Sequence, residues 1–250
     1  MSGFKFDLIM NVMKPGNLLV LLFFLPLVAT LGQDWKFFET EQIHQKRVES
    51  GRNYYSFLNE SSFAMGLYEL NAKVIDNQPV HDEDEVYFIV SGKAKLVAGD
   101  STFDVAAGSI AFVRAGISHR FVEIEEDFSA LVIFTKTPSK TGDADALAFE
   151  LGKLRQSANP EENVWNQFLF VSSMRMGLYL LPLSLGGDQP LNHKVDEINI
   201  VTKGEGILVV GEEEIPVKAG TIVWVKEGNP HSFKNLSEDF DVLIAFHIKP

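Results

Sequence analysis

The segment His81–Pro138 recurs without a gap at His193–Pro250, and no feature of this 250-residue chain limits its fold more. At an offset of 112, 21 of 58 positions are identical. The offset carries Gly92 onto Gly204, Gly99 onto Gly211, Gly108 onto Gly220 and Gly116 onto Gly228. It also carries His119 onto His231 and Glu126-Asp127-Phe128 onto Glu238-Asp239-Phe240. Upstream the offset is 111, matching Met65-Gly66-Leu67-Tyr68 to Met176-Gly177-Leu178-Tyr179, so one residue is gained or lost in the loop before His81. A period this long is domain-sized, far beyond the 20 to 50 residues of solenoid repeats. Two homologous domains in tandem follow, residues 33–140 and 141–250, joined through the polar stretch Ser139–Asp145.

Each unit reads as β structure. Val86–Val90 is a continuous apolar run, as expected of a strand buried on both faces. Residues 103–105, 110–113, 121–124 and 131–134 read as further short strands, and glycines punctuate them every 8 to 12 residues, the rhythm of an all-β sandwich or barrel. Residues 146–156 carry Leu147, Leu151 and Leu154 at helical spacing.

The repeat preserves a set of residues suited to holding a metal. His81, Glu85 and His119 occur in the first unit; His193, Glu197 and His231 occupy the same places in the second. His81 and Glu85 are four positions apart, so on a strand both point to one face, and the strand of His119 could close the site from across a barrel. Two imidazoles and a carboxylate on one side of an ion leave positions open for substrate. Iron, manganese or zinc would each suit these donors, up to two ions per chain. Tyr87 shares the face of Glu85 and is a candidate catalytic acid or base; the second unit has Asn199 there. His44 and His247 have no counterparts and read as surface or packing residues. Asp82, Glu83 and Asp84 read as a solvated acidic loop. Arg114 and Lys226 keep a positive charge in both units, where it faces water or holds an anionic substrate.

His81-x3-Glu85-x6-Gly92 with Gly108-x7-Gly116-x2-His119 resembles the two signature motifs of the cupin superfamily. The second unit repeats the pattern with His193, Glu197, Gly204, Gly220, Gly228 and His231. The resemblance spans about residues 36–250 and implies a bicupin: two tandem jelly-roll β-barrels, all-β, each able to hold a metal. Two departures stand out. The histidine usual two residues before His81 and His193 is replaced by Pro79 and Leu191, which cuts the ligand set to three. The proline usual in the second motif is replaced by Arg114 and Lys226. Cupins include dioxygenases, Zn- or Mn-dependent lyases, isomerases and cyclases, and non-catalytic binding or storage proteins. The ligand set favours a non-haem metal-dependent dioxygenase acting on a small organic molecule.

Composition narrows the partners. A net charge of -12 repels phosphate backbones, which argues against nucleic acid and anionic membranes. With no cysteine there are no disulfides, iron–sulfur clusters or thiol nucleophiles. Assembly into a homo-oligomer is compatible with the sequence. Lys14, the apolar run Leu18–Leu31 and the small exit at Gly32 fit a signal peptide over residues 1–32. The expectation is a secreted protein, extracellular or periplasmic, that begins at Gln33 and has no membrane span after cleavage.

Overall fold

The computed structural model describes residues 34–140, 142–188 and 192–249. The expected signal peptide lies outside them. The first repeat contains β1 (Trp35–Glu39), α1 (Thr40–Ser50), β2 (Tyr54–Asn59), β3 (Phe63–Leu70), β4 (Asp84–Ser91), β5 (Lys93–Ala98), β6 (Ser101–Ala106), β7 (Ser109–Val113), β8 (His119–Val122) and β9 (Phe128–Thr135). The second contains β10 (Ala146–Glu150), α2 (Leu151–Ser157), β11 (Trp165–Phe170), β12 (Met174–Leu181), β13 (Glu197–Lys203), β14 (Glu205–Val210), β15 (Glu213–Lys218), β16 (Thr221–Val225), β17 (His231–Lys234) and β18 (Phe240–His247). The helix suggested by Leu147, Leu151 and Leu154 begins only at Leu151; residues 146–150 pair as a strand along β7. Alternating contacts on a sheet edge placed Leu147 and Phe149 on one face, and that demand overrode the helical spacing.

Each repeat forms a six-stranded and a three-stranded antiparallel sheet, ordered β10-β7-β4-β9-β3-β2 with β6-β5-β8, and β1-β16-β13-β18-β12-β11 with β15-β14-β17. The edge strands are exchanged. β1, from the first repeat, pairs with β16 of the second, and β10, from the second, pairs with β7 of the first. A division of the chain at 140/141 therefore does not coincide with a division by sheets. The exchange is anchored symmetrically. Asp145 forms an ion pair with Arg114, and Asp34 pairs with Lys226 at 3.3 Å. The backbone N–H of Arg114 donates to Asp145, and that of Lys226 to Asp34, both at 2.9 Å. These two cations hold the swapped strands, which accounts for the charge kept at both positions.

Three apolar clusters result. Tyr87, Ile89, Leu96, Val113, Phe121 and Phe128 fill the first barrel. Leu181, Val201, Leu208, Val225, Phe233 and Phe240 fill the second. Between the barrels the outer faces of the large sheets meet, with Val86, Phe112 and Leu131 from one side and Ile198, Trp224 and Leu243 from the other. The run Val86–Val90 is explained by this arrangement: Val86 faces the neighbouring barrel while Tyr87 and Ile89 face inward. Gly92 and Gly204 are fixed by two demands at once. Their φ values are +85° and +83°, and a Cβ would lie 2.6 Å from the Asp127 carbonyl oxygen or 2.9 Å from that of Asp239. Only glycine meets both.

Asp84 is wholly buried, contrary to the solvated loop expected for it. Its carboxylate accepts the N–H of Ala115 and of Ser139, each at 2.8 Å, and the hydroxyl of Ser173 at 2.5 Å. Its counterpart Asp196 accepts the hydroxyl of Ser62 at 2.5 Å and the N–H of Glu227 at 2.9 Å. Ser62 and Ser173 are themselves counterparts, so each repeat reaches across to the other through the same serine–aspartate contact.

Candidate metal centres

In the first barrel Glu85 opens the inward face of β4, and β8 carries His119 across the interior. His81 precedes β4 rather than lying on it, so the shared face inferred from strand spacing is produced by the loop. His81, Glu85 and His119 nevertheless converge: one donor atom from each lies within 4.8 Å of the others. The same holds for His193, Glu197 and His231. Glu85 and Glu197 are both 1% exposed. Neither has a lysine or arginine partner among the described residues; the ion pairs of each are with the two histidines of its own set.

The ring orientations suit a cation. The Nδ1 of His119 donates to the Ile117 carbonyl at 2.8 Å, and that of His231 to the Asn229 carbonyl at 3.0 Å. A backbone anchor on Nδ1 turns Nε2, with its lone pair, into the barrel, as in metal-ligating imidazoles. In the first site the Tyr87 hydroxyl lies 2.5 Å from Glu85 Oε2, 2.9 Å from His119 Nε2 and 3.0 Å from Gln78 Oε1. One phenolic proton thus lies between two oxygen acceptors, with the His119 ring nitrogen beside them. In the second site Glu197 Oε2 is buried without a hydrogen-bond partner. Such a surplus of acceptors fits a bound cation, because a buried lone pair without a partner is costly.

Protonation follows the same geometry. Burial alone would raise the Glu85 pKa, but hydrogen bonds from His119, His81 and Tyr87 hold it below the usual range. The hydrogen bond to Glu85 raises His81. Burial opposes a proton on His119 and His231, yet hydrogen bonding to the neighbouring glutamate raises both. Burial lowers His193. Burial and the Glu85 charge push Tyr87 well above the ordinary phenol value, so it keeps its proton.

A cavity of about 750 Å³ opens over the first site, lined among others by His81, Glu85, Tyr87, Gln78, Ala64 and Lys136. That volume suits a small-molecule ligand. Pro79 lines it and offers no ligand atom, while Leu191 lies outside the described residues. His44 is exposed and bonded to Glu69 at 2.8 Å; His247 is buried against Phe63. Sequence reasoning missed Gln78 and a latch beside it. Tyr68 donates to Asp76 at 2.5 Å, and Asp76 accepts the N–H of Phe121 at 2.8 Å. Tyr179, Asp188 and Phe233 repeat the latch at 2.9 and 2.5 Å. The paired Tyr and Asp positions were visible in the repeat.

The comparisons agree with this architecture. The family profile described as "Cupin domain" matches residues 67–134 and 183–247. These matches cover more than half of the chain, and the chain belongs to this family. An uncharacterized protein of Streptomyces coelicolor is 40% identical over 104 residues, which are 42% of this chain and 99% of that protein. Salicylate 1,2-dioxygenase from Pseudaminobacter salicylatoxidans superposes with a TM-score of 0.70 at 12% identity, over 89% of each chain. Ylba from E. coli gives 0.64 at 17% identity, over 78% of this chain and 83% of that one. At such identities the likeness is one of fold.

Proposed function

We propose that this chain is a metal-binding bicupin that turns over a small organic molecule in its first barrel, as a metal-dependent dioxygenase. The observation that carries the reading is the opening of the 750 Å³ cavity onto His81, Glu85 and Tyr87, with His119 completing the donor set behind the Tyr87 hydroxyl. Iron held by the two imidazoles and the carboxylate would supply redox chemistry and open coordination positions. The protein's own part is positional. The anchored His119 and the buried Glu85 present their donor atoms in a fixed geometry, without reorganisation on binding. Phe134, with its ring centroid 5.4 Å from that of His81, forms one apolar wall of the cavity. Tyr87 keeps its proton and donates it, or a hydrogen bond, to an oxygen of the bound molecule. The dioxygenase fold neighbour supports the choice of reaction class without deciding it.

Two measurements on untagged protein test this reading: elemental analysis, and oxygen uptake with a panel of small phenols and enols. Iron together with oxygen uptake is the expected result. Zinc or manganese without uptake would overturn the dioxygenase in favour of a lyase, isomerase or cyclase. Absence of metal would overturn the enzyme. The reading also includes export, with a mature chain beginning at Gln33. No helix of the described residues is long and apolar enough to cross a membrane.

A further inference from the structure

The two barrels differ beside their metal-type residues. In the first, one cross-strand row of the large sheet reads Ala64, Phe134, Glu85, Val113. The matching row of the second reads Arg175, Phe246, Glu197, Val225. Residues paired directly across strands project from the same face. Glu197 and Phe246 point into the barrel, so Arg175 does too. Ala64 lines the first cavity from the same position.

The guanidinium carbon of Arg175 lies 4.6 Å from the Phe246 ring centroid, and that ring lies 4.7 Å from the His193 ring. Arg175 is half-buried, and no hydrogen-bond or ion-pair partner engages it among the described residues. Its planar fork is stacked on Phe246 and has no partner for its donors among the described residues, the state suited to grasping a carboxylate in two places. A second, independent observation points to the same space. Asn199 is 1% exposed, and its Oδ1 accepts nothing, while its amide donates to Glu197 at 3.3 Å. Strand spacing puts the Cα atoms of Arg175 and Asn199 about 12 Å apart, two strands over and two residues along. The arginine side chain covers about half of that distance. With the shorter reach of the asparagine, the two side chains bracket a small molecule that has an anionic end for Arg175 and a hydrogen-bond donor for Asn199 Oδ1.

We propose that the second barrel is a binding site for a small hydroxycarboxylate, with its carboxylate on Arg175 and its hydroxyl donating to Asn199. The site does not depend on turnover in the first barrel. There the corresponding residues are Ala64 and Tyr87, and Lys136, the lysine lining the cavity among the described residues, already faces Glu83 at 3.6 Å.

The protein carries its own reporter. All three tryptophans, Trp35, Trp165 and Trp224, lie in the large sheet of the second barrel, and Trp165 is 5.5 Å from Phe246. Titration of the full chain with malate should change tryptophan emission saturably. Arg175→Gln should weaken the apparent affinity by roughly tenfold or more, the usual loss for one charge-assisted contact. Arg175→Lys should fall between, because a lysine restores the charge but not the fork. Asn199→Leu should bring malate down to the affinity of succinate, which lacks the hydroxyl. Lys136→Gln should leave malate binding unchanged. Thermal unfolding of each variant separates lost binding from lost fold. No saturable change in the wild type would overturn the proposal. So would a folded Arg175→Gln variant that binds as the wild type does, or loss on Lys136→Gln instead, which would move the anion to the first barrel.

Discussion

Replacing Asp84 by alanine should be among the most damaging single substitutions outside the barrel cores. The carboxylate is fully buried and accepts two backbone N–H groups, from Ala115 and Ser139, as well as the Ser173 hydroxyl from the other repeat. Alanine leaves both N–H groups without an acceptor. Each unpaired buried donor costs about 1–3 kcal/mol. The two serine hydroxyls already lie 3.1 Å apart and can bond each other, so their share is small. The expected loss is about 4 kcal/mol, a large part of the roughly 5–15 kcal/mol that holds a typical domain. Asp196→Ala leaves the buried Ser62 hydroxyl and the N–H of Glu227 without an acceptor; Glu227 is exposed, so water replaces one of the two bonds and the loss should be about half as large. Urea unfolding followed by circular dichroism measures both, read from the midpoint at an unchanged denaturant slope. Asp84→Ala within about 0.5 kcal/mol of the wild type, as for a solvated surface aspartate, would refute the reasoning.

Tyr87→Phe should retain metal and fold while turnover falls by about 10²–10⁴, the usual contribution of a positioned acid; unchanged turnover would remove Tyr87 from the chemistry. Burial lowers the His247 pKa below its unfolded value of about 6.5, so the unfolded chain takes up the proton first and stability falls as pH drops below that value. His247→Gln should therefore lose less stability than the wild type between pH 7.5 and 5.5 in urea titrations, and an equal loss would contradict the assignment. N-terminal sequencing of exported protein should start at Gln33; a mature chain that keeps Leu18–Leu31 would exclude cleavage.

Much of the barrel was legible because the repeat was. Positions kept twice, such as His81 with His193 or Gly92 with Gly204, answer the same backbone or donor requirement twice; both triads assemble, though His81 and His193 reach them from the loops before β4 and β13 and not by strand spacing. Local reading failed where the other repeat supplies the partner. Asp84 looked like part of an acidic loop because Ser173 is 89 residues away. Arg114 looked free because Asp145 arrives on an exchanged strand. Residues 146–150 looked helical because no local pattern announces that they will pair along β7. The cavity was illegible for a related reason: its walls come from β2, β3, β4 and β9, and only the fold brings them together.

The most direct test is the metal content of the untagged chain and its glutamate variants, measured by mass spectrometry of the elements. With His81, Glu85 and His119 holding one ion and His193, Glu197 and His231 another, the wild type should carry about two ions per chain. Glu85→Ala and Glu197→Ala each remove the sole anionic donor of one set, so each should carry about one, and the double variant almost none. Metal content unchanged in both single variants would contradict the His–Glu–His assignment and the enzymatic reading built on it.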